Sequence, residues 1–478
     1  MDLPFGIQTP ELDVLIVGAG LSGLSSALKI LSIESTLKLR IIEASGNLGG
    51  QLGQNGTRFL DGNQHDLLDF LTIIQLSPRR RRSGNLRLKR CWDLDRGLTS
   101  LPAKFELKRY IEMLDLRMSK FRSKKFSLRE RVSNMEQHIS HHLFFNKSRN
   151  FMFNLVELIC GVPANEVDYD VFMSVCSSCG GLKMLIDFYF ILPSNFYEIS
   201  IQMLIESILE QMQFTKINLN CRAVKVEHFK NYVQITDELG NKHTAQSVIL
   251  AIPWNRVQKL EFEPRIPKVF LPPLATKAGQ KQHRLITQFQ LQYGKSIWSD
   301  LGYSGNFLNS NPLISSHECR QSTLCGFVLH SPEDQYGVLE EVVNLLADQF
   351  GEEMRQPLDF QCSTDELSVT LHKPQTKPWH RIIWSSSSAV GTNYRSLMGG
   401  AVQSGVRAAV NALFVVRPQV VSWKDMLDER PKNPYESNRT SRLRGLLSRL
   451  NLYNVTFYSF FVIGLIWLLN LGYNRSLS

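Results

Sequence analysis

The feature that most narrows the fold is residues 13–30, DVLIVGAGLSGLSSALKI, where an apolar run breaks into glycines and resumes at once as small and apolar residues. Val14 to Val17 read as a buried parallel strand. Gly18, Ala19, Gly20, Leu21, Ser22 and Gly23 follow, and the spacing predicts a helix from about Leu21 to Leu31. In that order each glycine has a task. Gly18 permits the turn, Gly20 leaves no side chain between the backbone and a diphosphate, and Gly23 lets the helix lie close on the strand with its first amides facing the anion. A second strand, LKLRIIEA, reaches Glu43, twenty positions past Gly23, where a carboxylate can accept hydrogen bonds from adenosine ribose hydroxyls. A plain glycine-rich turn is the alternative; the strand before, the helix after and the acid at this distance favour a dinucleotide.

A chain of 478 residues, 43% of them apolar, can bury a large core and reads as two intimately packed domains. The formal net charge of +10 is concentrated in Arg79, Arg80, Arg81 and Arg82 with Arg87, Lys89 and Arg90, and in a second excess over 104–125. Such blocks are read as solvated loops, and no zinc-finger or helix-turn-helix pattern accompanies them, so no nucleic-acid partner is expected. The eight cysteines are scattered, and the N-terminus lacks a basic start and an apolar h-region, which points to reduced thiols. Cys176 and Cys179 form a CxxC pair with no second pair or spaced histidines, so a structural role is favoured over redox chemistry or zinc, and no metal site is expected. Cys319 and Cys325 are left unassigned.

Beyond Glu43 the chain runs EASGNLGGQ, with Gly49 and Gly50 just downstream. This resembles the E-A-x-x-x-x-G-G-R run of the flavin amine oxidase family, to which the monoamine oxidases belong. The resemblance implies FAD rather than NAD. It places the cofactor on Gly18, Ala19, Gly20, Leu21, Ser22, Gly23, Glu43, Ala44, Gly50 and Gln51, with the backbone of Val224 at the adenine and Met398 at the flavin end. RFLDGNQHDLLDFL resembles the family's F-D-x-G segment, and Ala251, Ile252 and Pro253 its A-x-P run. Gly400, Ala401, Val402, Gly405, Ala408 and Ala409 resemble its G-A-V-x-x-G-x-x-A-A signature, whose small residues let a helix N-terminus approach the flavin.

The implied class is α/β with an α+β substrate part. A Rossmann-like FAD domain is assembled from 1–76, 215–265 and 375–415, and a mixed-sheet substrate domain from 77–214 and 266–374. A linker, 416–452, leads to an uncharged stretch, 453–473. At about 1.5 Å per residue that stretch spans roughly 30 Å, enough for a transmembrane tail anchor with the bulk of the chain in the cytosol. A buried helix is the other reading. Monoamine oxidases end in a similar anchor in the mitochondrial outer membrane, and some relatives form homodimers.

Departures from the family pattern fall on the flavin and substrate side. The S-G-G-C-Y run has no counterpart, and Cys362 lies in another context, so covalent attachment of FAD is not expected. The second tyrosine of the substrate pair falls on Leu397, with Tyr394 out of register. The lysine near the flavin falls on Gln288 or a neighbour, and Lys295 is too close to Trp298 to replace it. The arginine after the double glycine is Gln51, the A-G-T-E segment appears as Ser385 to Ser388, and a G-G-x-x-x segment as NFYEISIQML. No catalytic residue is assigned. The resemblance implies oxidation of an amine to an imine with oxygen reduced to hydrogen peroxide; the alternative is a membrane-tethered relative without catalysis, acting as a binding or scaffold protein.

Overall fold

The structure, a computed structural model, describes residues 10–428 apart from 54–56, 81–87, 96–99, 122–133, 193–195, 214, 268–269, 271–283, 336, 368–375 and 389–392. The stretch 453–473 lies outside the described residues. Among those described, no single helix is long and apolar enough to cross a membrane.

The opening strand, Leu12–Val17, is the centre of an eight-stranded sheet. Leu39–Ile42 flanks it on one side and Lys242–Leu250 on the other, both parallel, with Leu15 level with Arg40 and Val248. Strands buried on both faces need continuous apolar runs, and Val14, Leu15 and Ile16 have no exposed surface. The strand Lys242–Leu250 changes character along its length. Its first half alternates buried and open residues and pairs antiparallel with Val233–Asp237; its second half, Ser247 to Leu250, is continuously buried and pairs parallel with Ile382–Trp384. The sheet thus joins strands from three separated stretches of chain.

Two helices cover one face. Leu21–Ile33 and Met398–Val416 cross so closely that a Cβ on Gly405 would stand 2.0 Å from Ser25 Oγ and 2.5 Å from the Ser22 carbonyl oxygen. Only glycine fits there, which accounts for the small residues on both helices.

A second, six-stranded sheet runs in the order Asp359–Glu366, Leu285–Gln292, Thr323–His330, Leu313–Arg320, Tyr303–Ser310, Lys89–Trp92. Its first five strands are antiparallel and the last is parallel to its neighbour. The helix Val338–Phe350 packs on one face against Phe289, Leu291, Ile314 and Leu324. On the other face Leu308, Leu313 and Leu329 join a helical cluster built on Phe151, Met152, Phe172 and Phe190.

Three placements differ from the sequence expectations. Phe196–Ser200, assigned with the substrate part, pairs antiparallel with Thr57–Asp61, and the helix after it sinks Ile201, Leu204 and Ile208 into the cluster that contains Val14 and Ile16. The basic stretch read as a turn-rich insertion contributes two short edge strands, Arg79–Arg80 and Lys89–Trp92; in the second, Cys91 points inward while Lys89 and Arg90 stay exposed. Cys319 and Cys325 close a disulfide within the hairpin between Leu313–Arg320 and Thr323–His330, whereas Cys91, Cys160, Cys176, Cys179, Cys221 and Cys362 are not disulfide-bonded.

One buried histidine ties helical stability to pH. His138 Nδ1 lies 2.7 Å from the Tyr110 hydroxyl, and its ring stacks on His142 at 4.2 Å. Burial, with His142 and Arg117 nearby, pushes its pKa down to about 3. An unfolded histidine takes up its proton near pH ~6.5, so between the two values the unfolded chain binds one proton more than the folded one. Stability falls as pH drops through that window. Urea unfolding of His138→Gln should show a shallower loss between pH 7 and 4 than the parent, by roughly one bound proton. Gly405→Val should lower stability by about 3 kcal/mol or more, measured at neutral pH.

Candidate functional site

The turn after the opening strand is built from glycines under three different demands. Gly18 adopts φ +107°, and a Cβ there would meet the Ala251 carbonyl oxygen at 2.5 Å and Ile252 Cγ2 at 2.8 Å. Gly23 presses the helix onto the turn, since its Cβ would lie 2.0 Å from the Gly18 oxygen. Gly20 is different. Its backbone is extended, and a Cβ would touch nothing nearer than Gly50 Cα at 4.0 Å. Protein packing does not demand a glycine at that position, where there is room for a Cβ.

Gly20 stands at a helix start. Leu24 N–H bonds to the Gly20 carbonyl, so the amides of Leu21, Ser22 and Gly23 have no partner within the helix. No side chain caps this end and no acid lies in its first turn. The Gly49–Gly50 turn closes over it: Gly49 N–H donates to Ala19 O at 2.9 Å, and Gly20 and Gly49 form a parallel bridge. Gln51 and Ala44 are exposed at its rim. The Glu43 carboxylate turns inward, accepting from Ala19 N–H at 2.7 Å through Oε2 and from Ser45 N–H and Oγ at 2.9 Å through Oε1.

Val224 arrives from the meander. The register between Ala223–His228 and Val233–Asp237 runs from Ala223 opposite Asp237 to Lys225 opposite Thr236, so the ladder skips Val224 and leaves it in a bulge, 39% exposed. Cys221 N–H donates to the Glu43 carbonyl at 2.8 Å, which ties the start of this strand to the end of the one carrying the carboxylate.

Met398 opens the long C-terminal helix, which also lacks a side-chain cap at Leu397 and an acid in its first turn. Gln64, buried, accepts from Gly399 N–H at 3.0 Å through Oε1. Its Nε2 and the Ser385 hydroxyl are buried without a partner among the described residues. Gly400 is small for a reason other than the one the motif suggests: its Cβ would meet the Tyr394 oxygen at 2.3 Å, the Asn393 oxygen at 2.8 Å and Ser387 Oγ at 2.9 Å. The chain's own loop, not an external group, occupies that side. Ser387 Oγ also donates to the Leu397 oxygen at 2.8 Å.

Residues 21–413 match the family model described as flavin containing amine oxidoreductase. The chain belongs to that family. Among solved structures, cyclohexylamine oxidase from Brevibacterium oxydans IH-35A is similar at a TM-score of 0.67 and 16% identity, covering 86% of this chain and 100% of that one. Wild-type putrescine oxidase bound to putrescine is similar at a TM-score of 0.66 and 19% identity, covering 84% and 99%. At such identities these likenesses concern the fold. No curated protein matches the chain. A flavin is the cofactor that membership implies, and a glycine at position 20 that packing does not require, the amides of Leu21 to Gly23 without a partner in the helix and the Glu43 carboxylate fit its adenosine and diphosphate half.

Against other members' pattern, the substrate side holds different groups. Lys295 is exposed and paired at 3.4 Å with both Asp300 and Glu353. Tyr394 is buried in the helical cluster, its N–H bonded to Ser178 O at 3.0 Å. Gln288 sits opposite Phe327 and Ser363, and Cys362 is exposed on the outer strand. Where the Thr57–Asp61 strand meets the second sheet, Phe59 packs edge-on against His317 at 4.9 Å. Arg58, whose Nη2 donates to Leu52 O at 2.8 Å, lies within electrostatic reach of Asp365. Burial pushes the arginine down and the aspartic carboxyl up, and each charge partly offsets the other's shift. Arg58 and Gln64 lie in the stretch RFLDGNQHDLLDFL, but the motif gave them no partner, and no local pattern marks Asp365.

The contrast among the glycines is testable. Gly20→Ala should keep its unfolding midpoint, changing stability by about 1 kcal/mol or less as a helix-start substitution. It should weaken FAD binding roughly tenfold or more, followed by fluorescence titration. Gly18→Ala should destabilise the fold itself, by about 1–3 kcal/mol or more.

Proposed function

We propose that the chain is an FAD-dependent oxidoreductase that oxidises an amine to its imine and reduces oxygen to hydrogen peroxide, with FAD held without a covalent bond. The observation that carries this is a glycine at position 20 that packing does not require, set beside helix amides without a partner in the helix and a carboxylate that accepts from Ala19 N–H. Bound flavin supplies the acceptor for the amine's hydride equivalent and passes the electrons on to oxygen.

The chain's own groups then have separable tasks. The amides of Leu21, Ser22 and Gly23 receive the diphosphate, and the remaining lone pairs of Glu43 receive ribose hydroxyls. Val224, free of the ladder, offers its peptide to the adenine edge. The amino end of the Met398–Val416 helix would offer partial positive charge to a bound flavin, with Met398 N–H and Gln64 Nε2 as the donors that could hold it.

A second reading, a membrane-tethered relative that binds without turning over, is favoured by three placements: Lys295 on the surface, Tyr394 in the helical cluster, and Gln64 on the Gly399 amide. In either case the 453–473 stretch is proposed as the anchor, with the mitochondrial outer membrane as destination by family resemblance.

The purified chain should be yellow, or become so on titration with FAD, and acid precipitation should release all the flavin into the supernatant. A primary amine added without oxygen should bleach it. A yellow protein inert to amines points to a flavoprotein of another substrate, and a folded protein that takes up no FAD overturns the first reading and supports the second.

A further inference from the structure

We propose that Cys221, Asp237 and His243 form a binding site for a divalent metal of the zinc class, outside the nucleotide site and independent of it. Cys221 precedes the strand Ala223–His228, Asp237 ends Val233–Asp237, and His243 is the second residue of Lys242–Leu250, so two turns of the meander bring together residues far apart in sequence. The donor atoms form a nearly equilateral triangle. Sγ lies 3.5 Å from Asp237 Oδ2 and 3.7 Å from His243 Nε2, and Nε2 lies 3.5 Å from Oδ2. Tetrahedral zinc, with bonds of about 2.3 Å to sulfur and about 2.0–2.2 Å to nitrogen and oxygen, places its ligands roughly 3.3–3.6 Å apart. All three residues are buried, with 8%, 3% and 7% of their surface exposed.

The surroundings orient the carboxylate. Asp237 Oδ1 accepts from Leu239 N–H at 3.0 Å and Asn241 N–H at 2.8 Å, and Oδ2 accepts from Asn241 Nδ2 at 2.9 Å, so Oδ2 is held toward the sulfur and the imidazole. A thiolate and a carboxylate balance a divalent ion. Arg40 Nη1 stands 3.5 Å from His243 Nδ1; in the metal-bound form that nitrogen carries the proton and the guanidinium turns to Glu11, which already holds its Nη2 at 2.6 Å.

Burial, with Asp237 beside it, pushes the metal-free Cys221 thiol up to about 11. Although burial opposes it, the Asn241 hydrogen bonds hold Asp237 down at about 2.

The test uses the full chain, stripped with a chelator and titrated with cobalt(II) and with zinc. One equivalent of cobalt should bind with a thiolate-to-metal charge-transfer band, and Cys221→Ser and His243→Ala should each weaken binding by roughly a hundredfold or more. Cys362→Ser, which removes the exposed thiol, should leave it unchanged. X-ray absorption of the zinc-loaded parent should read one sulfur and otherwise nitrogen or oxygen ligands, a measurement that stands even where a variant fails to fold. Absence of the band at one equivalent, its survival in Cys221→Ser, or a sulfur count other than one would overturn the proposal.

Discussion

The rest of the fold depends on how closely a helix lies on the turn it springs from. With Gly23 lying over the Gly18 carbonyl, Leu21–Ile33 comes near enough to the central strand for its amino end to sit directly beside the strand's exit. The same helix presents Ser22 and Ser25 to Gly405 on its other side, so one contact of small residues fixes both covering helices on the sheet. Any side chain at either crossing would have to displace backbone, and close-packed interiors have little room to yield. Two uncapped helix starts, at Leu21 and at Met398, are consequences of that packing.

The two ends of the proposed cofactor site are built on different principles. The diphosphate end is made of backbone: glycines, amides and one carboxylate. At the flavin end the chain has supplied its own side chains. Gln64 meets the Gly399 amide, the Asn393–Tyr394 backbone stands against Gly400, and Ser387 bonds the Leu397 carbonyl. A site whose positive end is already hydrogen-bonded internally binds and tunes a ring differently from one left open, because each donor committed to the protein is one fewer for the ligand.

The meander that carries Val224 is braced from behind by Cys221, Asp237 and His243. Cys221 reaches both this cluster and, through its N–H, the carbonyl of Glu43. A metal clip there would hold the strand end bearing the carboxylate without touching the nucleotide, a division in which one local cluster stabilises the frame and another does the binding.

How much was legible in the sequence follows from how local each feature is. Strand, glycine turn, helix and acid span about thirty consecutive residues, and their order is dictated by sterics and by the strand and helix periods, so Gly18, Gly20, Gly23 and Glu43 could be read directly. The doubly buried parallel strands were equally plain, since a strand covered on both faces must be apolar at successive positions. What required the tertiary structure were pairings between strands: Phe196–Ser200 beside Thr57–Asp61, Arg58 within electrostatic reach of Asp365, the Cys319–Cys325 bridge across a hairpin, and the Cys221, Asp237 and His243 triangle. The motif by itself determined where an anion can rest, because backbone conformation is a local property. Which side chains surround it was decided only when the chain closed on itself, because contacts across a fold depend on register and crossing distance that no short stretch encodes.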